Sequence, residues 1–224
     1  MLAQLRLDVA ALRPGLSVVA ASVDVQKPAL PDVVARLAAA GRPCVVVPLL
    51  LAAGYHVRVD VAQAVASAPG LALAARVLGP DDVLLEVLGQ RLAECGLEAD
   101  DAVVLGAAGS SDPAAVADVE RVAAALGRRL GRTVTAGFLS AASPTVADAV
   151  AAARRAGRRV TLATFLLSPG VFADLMAGAG ADRVSAPLAP HPALAALVLR
   201  RYDEALTSTP AVIKQTLRDQ ANLA

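Results

Sequence analysis

The 224-residue chain is 56% hydrophobic and 18% charged, with a formal net charge of +1. This suits a globular α/β protein with an ample core and excludes a disordered or collagen-like chain. The balanced charge leaves no electrostatic footprint for DNA or RNA, and aromatic residues at 2% remove the base-stacking platforms of single-strand binders.

In chain order, the opening "MLAQLRLDVAALRPG" has helical periodicity with scattered charges, predicting a helix over 2–12 rather than the continuous apolar stretch of a signal peptide. Short Val/Leu-rich runs predict strands at 16–23, 44–50, 71–77, 102–106, 133–139, 160–166 and 183–185. Between them, helical periodicity predicts helices at 31–40, 57–66, 82–94, 113–130, 146–156, 171–179 and 192–206. Regular alternation of doubly buried strands with helices implies an α/β fold of parallel sheets covered on both faces. Mean hydropathy is positive at +0.58. Yet the longest apolar run, 45–55, is broken by Pro48 and Gly54 and falls short of the roughly 20 residues a membrane span needs. No membrane partner is expected. Cys44 and Cys95 lack metal-ligand spacing and read as reduced thiols, which places the chain in the cytoplasm.

The chain also repeats itself. "KPALPDVVARLAAAGRPCVVVPLLLAAGYHVRVD" lies over "SPTVADAVAAARRAGRRVTLATFLLSPGVFADL", with Pro28 on Pro144 and Gly54 on Gly170, 116 positions on in both cases. "LGPDDVLLEVLGQRL" lies over "LAPHPALAALVLRRY" at an offset of 110, Leu78 on Leu188. Two similar lobes are therefore expected, 1–98 and 99–208, followed by a polar tail at 209–224. The second copy opens with strand, loop and helix in "AVVLGAAGSSDPAAVADV". In the same register the first copy starts inside its own first helix. Its opening strand and loop would fall ahead of Met1.

Ligands of open α/β folds gather at the carboxyl ends of the strands. His56, one of only two histidines, follows such an end, after Gly54 and at the start of a helix. It reads either as a helix cap or core histidine, or as a metal ligand or general base. The second copy has Phe172 in this place, so the backbone motif does not itself require a histidine. His191, before the last helix, reads as a cap. "GAAGSSD" is neither a dinucleotide fingerprint nor a phosphate-binding loop, and no nucleotide is expected.

"VVVPLLLAAGYHVRVD", with "VLGPDDVLLEVLGQRL", "AAGSSDPAAVADV" and "SAPLAPHPALAALVLRRYDEAL", resembles the class II tetrapyrrole chelatases, specifically the CbiX/SirB sirohydrochlorin chelatase group in its long, two-lobed form. The resemblance implies an ATP-independent lyase that inserts Fe²⁺ or Co²⁺, as substrate, into sirohydrochlorin towards sirohaem or cobalamin. It implies His56 and Asp24 as catalytic metal ligands. A second family histidine, in an H-G-[ST] loop after the first strand, has no counterpart in the sequence; the second copy reads Ala108-Gly109-Ser110 there. Arg58 is an anchor for substrate carboxylates or a solvated helix charge, and Tyr55 packs on the macrocycle or covers the core. Asp24 has the alternative of a turn residue, and Asp60 reads as a first-turn helix acid. A monomer with an internal pseudo-dimer is implied. A non-catalytic tetrapyrrole- or metal-binding paralogue is the competing reading, and a two-lobed solute-binding or regulatory protein a third.

Overall fold

The computed structural model describes residues 2–23, 26–52, 54–154 and 157–208, with the side chains of residues 2 and 55–58 outside that description. The described chain runs α1 (Leu2–Leu12), α2 (Leu30–Ala39), β1 (Cys44–Val46), α3 (Tyr55–Ala66), β2 (Ala72–Ala74) and α4 (Asp82–Glu94). It continues through β3 (Ala102–Ala107), α5 (Pro113–Leu130), β4 (Val134–Phe138), α6 (Val146–Arg154), β5 (Val160–Phe165), α7 (Val171–Ala177), β6 (Arg183–Val184) and α8 (Pro192–Thr207).

Two compact bodies result: Gly79–His191, and Leu2–Leu78 together with the chain from Pro192 on. Each body includes one helix from the other sequence copy. The first copy's last helix, α4, packs with α5 and β5 of the second copy, while α8 packs with α1 and β1 of the first.

A buried arginine explains each exchange. Arg201 on α8, fully buried, donates from Nε to the carbonyl of Val77 (2.9 Å) and from Nη2 to that of Leu78 (2.7 Å). Arg91 on α4, 110 positions earlier, donates to the carbonyls of Leu188 (3.3 Å) and Pro190 (2.6 Å). Each copy's helix thus donates to carbonyls of the other copy's chain, those of the buried Leu78 and Leu188 among them.

In the Gly79–His191 body, a four-stranded parallel sheet has the order β4-β3-β5-β6. β5 is buried at all six positions and β3 at its last five, as expected of strands covered on both faces. Val104 and Leu162 pack with Val146, Val150 and Met176 of α6 and α7. Strand alternation turns Val103 and Leu105 to the opposite face. α5 starts where Asp112 accepts the N–H of Ala114 and Pro113 fills the first turn. It ends at Gly131, whose φ of +64° closes the last turn.

Among the described residues, the other body holds only the parallel pair β1-β2. Leu30, Val34, Val61 and Ala64 of α2 and α3 pack on Ala72, Cys44 and Val46. α1 buries Leu5 and Val9, and Arg13 makes a two-pronged ion pair with Asp203 of α8 (2.6 and 2.8 Å). The strand expected at 16–23 is not formed. Its last residues make a single bridge, Ser22 to Ala29, the counterpart of the bridge from Phe138 to Thr145 in the second copy. The reason is a missing neighbour: the equivalent β4 is held by β3, and the first copy has no β3 among the described residues. The tail at 209–224 lies outside the described residues.

Candidate functional site

Three of the residues predicted from sequence, Tyr55, His56 and Arg58, follow β1 in the chain. There the chain turns through 47–54 and enters α3, with Gly54 as N-cap in extended backbone (φ −69°, ψ 149°). His56 and Arg58 therefore occupy the first turn of α3, which Tyr55 opens. Gly54 is not matched to Gly170 by backbone need, because Gly170 has φ +144°. Asp24 lies outside the described residues, as do the side chains of Tyr55, His56 and Arg58. No three His, Cys, Asp or Glu side chains among the described residues are grouped to hold a metal.

The second copy displays the same positions in full. β3 ends at Ala107, paired with Phe138 of β4 and Phe165 of β5. Directly beyond it, the carbonyl of Ala108 accepts both the backbone N–H and the hydroxyl of Ser140 (3.0 Å each). Gly109, at φ +94°, passes so near that a Cβ would stand 1.8 Å from the Ser140 carbonyl oxygen. Only glycine fits there. Ser140 lies 116 positions after Asp24 and Phe172 the same distance after His56. In the second copy Ser140 adjoins the loop after β3, and Phe172 lies at the start of the helix that follows the neighbouring strand β5. The three positions share one end of the sheet, where parallel α/β folds bind ligands.

In the second copy those positions carry no metal-binding groups. Ala108 is half-buried, and Phe172 is 46% exposed beside Val171 and Leu175 at the start of α7. Neither an alanine nor a phenylalanine side chain offers a lone pair to a cation. His191 directly precedes α8 and bonds through Nε2 to Oε1 of Gln90. Burial, and then the charge of Arg91, push its imidazole below its ordinary pKa. The free thiols of Cys44 and Cys95 are pushed up by burial, which keeps them protonated and unreactive.

The family model CbiX matches residues 2–95 and again 102–205. The chain belongs to the CbiX family. The two matches are the two copies, so the internal duplication is a family feature of this chain. Among solved structures, the chain is similar to SirB from Bacillus subtilis with Fe³⁺ (TM-score 0.71, 22% identity, covering 92% of this chain and 91% of that one). It is also similar to CbiX, the terminal enzyme for biosynthesis of sirohaem in denitrifying bacteria (TM-score 0.68, 21% identity, covering 90% and 89%). A third is DR2241 from Deinococcus radiodurans, a multi-domain protein with structural similarity to chelatases and two additional domains; the chain covers 52% of it (TM-score 0.62, 19% identity, 94% of this chain). At these identities the likeness is one of fold. No curated protein matches the sequence. No described helix is long and apolar enough to cross a membrane.

One feature of the CbiX-family fold here is not foreseen from sequence. A cavity of about 950 Å³ opens in the first-copy body, bounded by α1, α2, α8, residues 16–23 and the outer edge of β1. Its signal was the gap in the repeat, which marks a missing strand but not the space that the remaining elements leave for it.

Proposed function

We propose that the chain is a metallochelatase that inserts Fe²⁺ or Co²⁺ into a sirohydrochlorin-like tetrapyrrole without nucleotide. The family match over both copies, together with a histidine in the first turn of α3 at the carboxyl end of β1, carries this reading. The reaction joins a divalent ion to the four macrocycle nitrogens and releases two pyrrole protons. His56 and Asp24, as metal ligands, hold the ion firmly enough to position it and loosely enough to release it. An unmetallated imidazole also accepts a pyrrole proton. Arg58, on the same helix turn, draws a substrate carboxylate, and Tyr55 covers the macrocycle face. The second copy contributes no ligand, so one metal is turned over per chain.

The test is Co²⁺ binding by calorimetry and metal insertion by absorbance, in the parent and in His56→Ala. The variant is expected to fold and to bind Co²⁺ at least about tenfold more weakly. Parent affinity should fall as pH drops through the ordinary imidazole range near about 6.5, where protons compete with the metal. Equal affinity in parent and variant returns His56 to a capping role. Tetrapyrrole or metal binding without insertion identifies a carrier on the same fold.

A further inference from the structure

The chain passes from one compact body to the other between Leu78 and Gly79, and again between His191 and Pro192. Both crossings fall in one repeated segment, Leu78-Gly79-Pro80-Asp81 in the first copy and Leu188-Ala189-Pro190-His191 in the second. The hold on that segment is repeated too. Arg201 donates to the carbonyls of Val77 and Leu78 and pairs with Glu204 (3.2 Å). Arg91, 110 positions earlier, donates to those of Leu188 and Pro190 and pairs with Glu94 (2.7 Å).

The copies differ in the residue that ends the segment. Asp81 is the N-cap of α4, where its carboxylate accepts the N–H of Val83 (3.0 Å) and suits the positive end of the helix dipole. In the same register the second copy has His191, directly ahead of α8 and bonded through Nε2 to Oε1 of Gln90. A carbonyl oxygen only accepts, so Nε2 carries the proton and the lone pair of the neutral ring is on Nδ1. A second proton makes the ring a cation, and two positive neighbours oppose it: the guanidinium of Arg91 on α4 and the N-terminal end of the α8 dipole. Glu94 on α4 favours the cation but is already paired with Arg91. The first turn of α8 holds no acidic residue, and residues 186–190 hold no titratable side chain.

We propose that His191, Gln90 and Arg91 form an acid-sensitive latch on residues 188–191: the neutral imidazole holds the segment on α4, and protonation loosens it where the chain leaves the Gly79–His191 body. The sign follows from linkage. Burial and Arg91 lower the proton affinity of His191 in the closed latch, so the open form binds more protons and acid favours it. The hold is complete above the ordinary imidazole value of about 6.5 and weakens as pH falls below it. One pH unit below that value the weakening is at most about tenfold.

The test is amide hydrogen exchange of the full chain at pH 7.5 and 5.5, each rate divided by the intrinsic rate at that pH. The reporters are Leu188 and Ala189, whose N–H groups donate to the carbonyls of Leu166 and Leu167 (2.9 Å each). Their protection should fall about threefold or more at pH 5.5, while Leu105 and Leu162 of the central strands keep theirs. His191→Asn retains a neutral polar side chain ahead of α8 and should abolish the fall. Gln90→Glu sets a carboxylate against Nε2, which favours the imidazolium in the closed latch, and should abolish or reverse the fall; it carries the test alone if His191→Asn does not fold. Unchanged protection at Leu188 and Ala189 in the parent overturns the latch. An undiminished fall in either folded variant does so as well, because another group would then be titrating. An equal fall at Leu105 and Leu162 would be a general weakening in acid and overturns it too.

Discussion

At the scale of single residues, Asp101, which precedes β3, is a buried carboxylate, 2% exposed. Its carboxylate accepts the N–H of Glu98 (3.1 Å), the Thr161 hydroxyl (2.9 Å) and the guanidiniums of Arg159 (3.2 Å) and Arg183 (3.0 Å). Burial by itself would raise its pKa, but these donors together hold it below the ordinary carboxylate value. A depressed folded pKa means that its stabilisation is complete above the unfolded value of about 3.9 and fades as pH falls through the folded one. Asp101→Asn should therefore cost about 2 kcal/mol at pH 7, with the gap to the parent closing at pH 3. Urea melts at both pH values check it, and an equal gap at both would remove Asp101 from the acid response. Its side-chain partners are 58 to 82 positions away, so no local pattern in the sequence marks them. The places of His56 and Phe172 are local features by contrast: each is the second residue of the helix that follows its own strand. Phe172→Leu, at an exposed apolar position, should leave Co²⁺ affinity within about twofold of the parent, while His56→Ala loses it. Comparable losses in both would mean that the two copies share one site.

At the scale of elements, periodicity located all eight helices and six of the seven expected strands, because amphipathic spacing and apolar runs are local properties. The failure at 16–23 has a non-local cause. Residues 18–22 have strand composition, but a parallel strand forms only on a neighbour, and no described strand lies beside them. Helix partnership was equally hidden, since nothing in the sequence of α4 or α8 says which copy's sheet it covers. Arg201 is the residue that decides it for α8. Arg201→Met keeps most of the packed volume but leaves the carbonyls of Val77 and Leu78 without their donor. The expected loss is about 3 kcal/mol, read from the urea midpoint. A loss below about 0.5 kcal/mol would show that those carbonyls find other donors and that apolar packing alone holds α8.

At the scale of the whole molecule, duplication has produced two bodies with the same elements and unequal cores. In Gly79–His191 the central strands are buried at every position but Ala102, and Leu105, Leu126, Leu162 and Met176 are fully enclosed. In the other body the sheet has two three-residue strands and a groove along one edge, so it lacks the apolar area that a central strand would bury. Hydrophobic stabilisation follows buried area, and local opening concentrates where contacts are few. Native-state hydrogen exchange should therefore divide the chain. Amides of β3 and β5 should exchange last, with those of Cys44–Val46 and Ala72–Ala74 faster by about a hundredfold or more. Heating should resolve two transitions, the lower one carrying residues 2–78 together with α8. The chelatase reading gives this inequality a functional side, because His56 and Asp24 belong to the weaker body and the second copy has none of their chemistry. Co²⁺ at a hundred times its dissociation constant should then raise the lower transition by roughly 2.7 kcal/mol while leaving the upper one in place. A shift of the upper transition would put the metal on the second copy, and a single transition moved as a whole would mean that the two bodies unfold together.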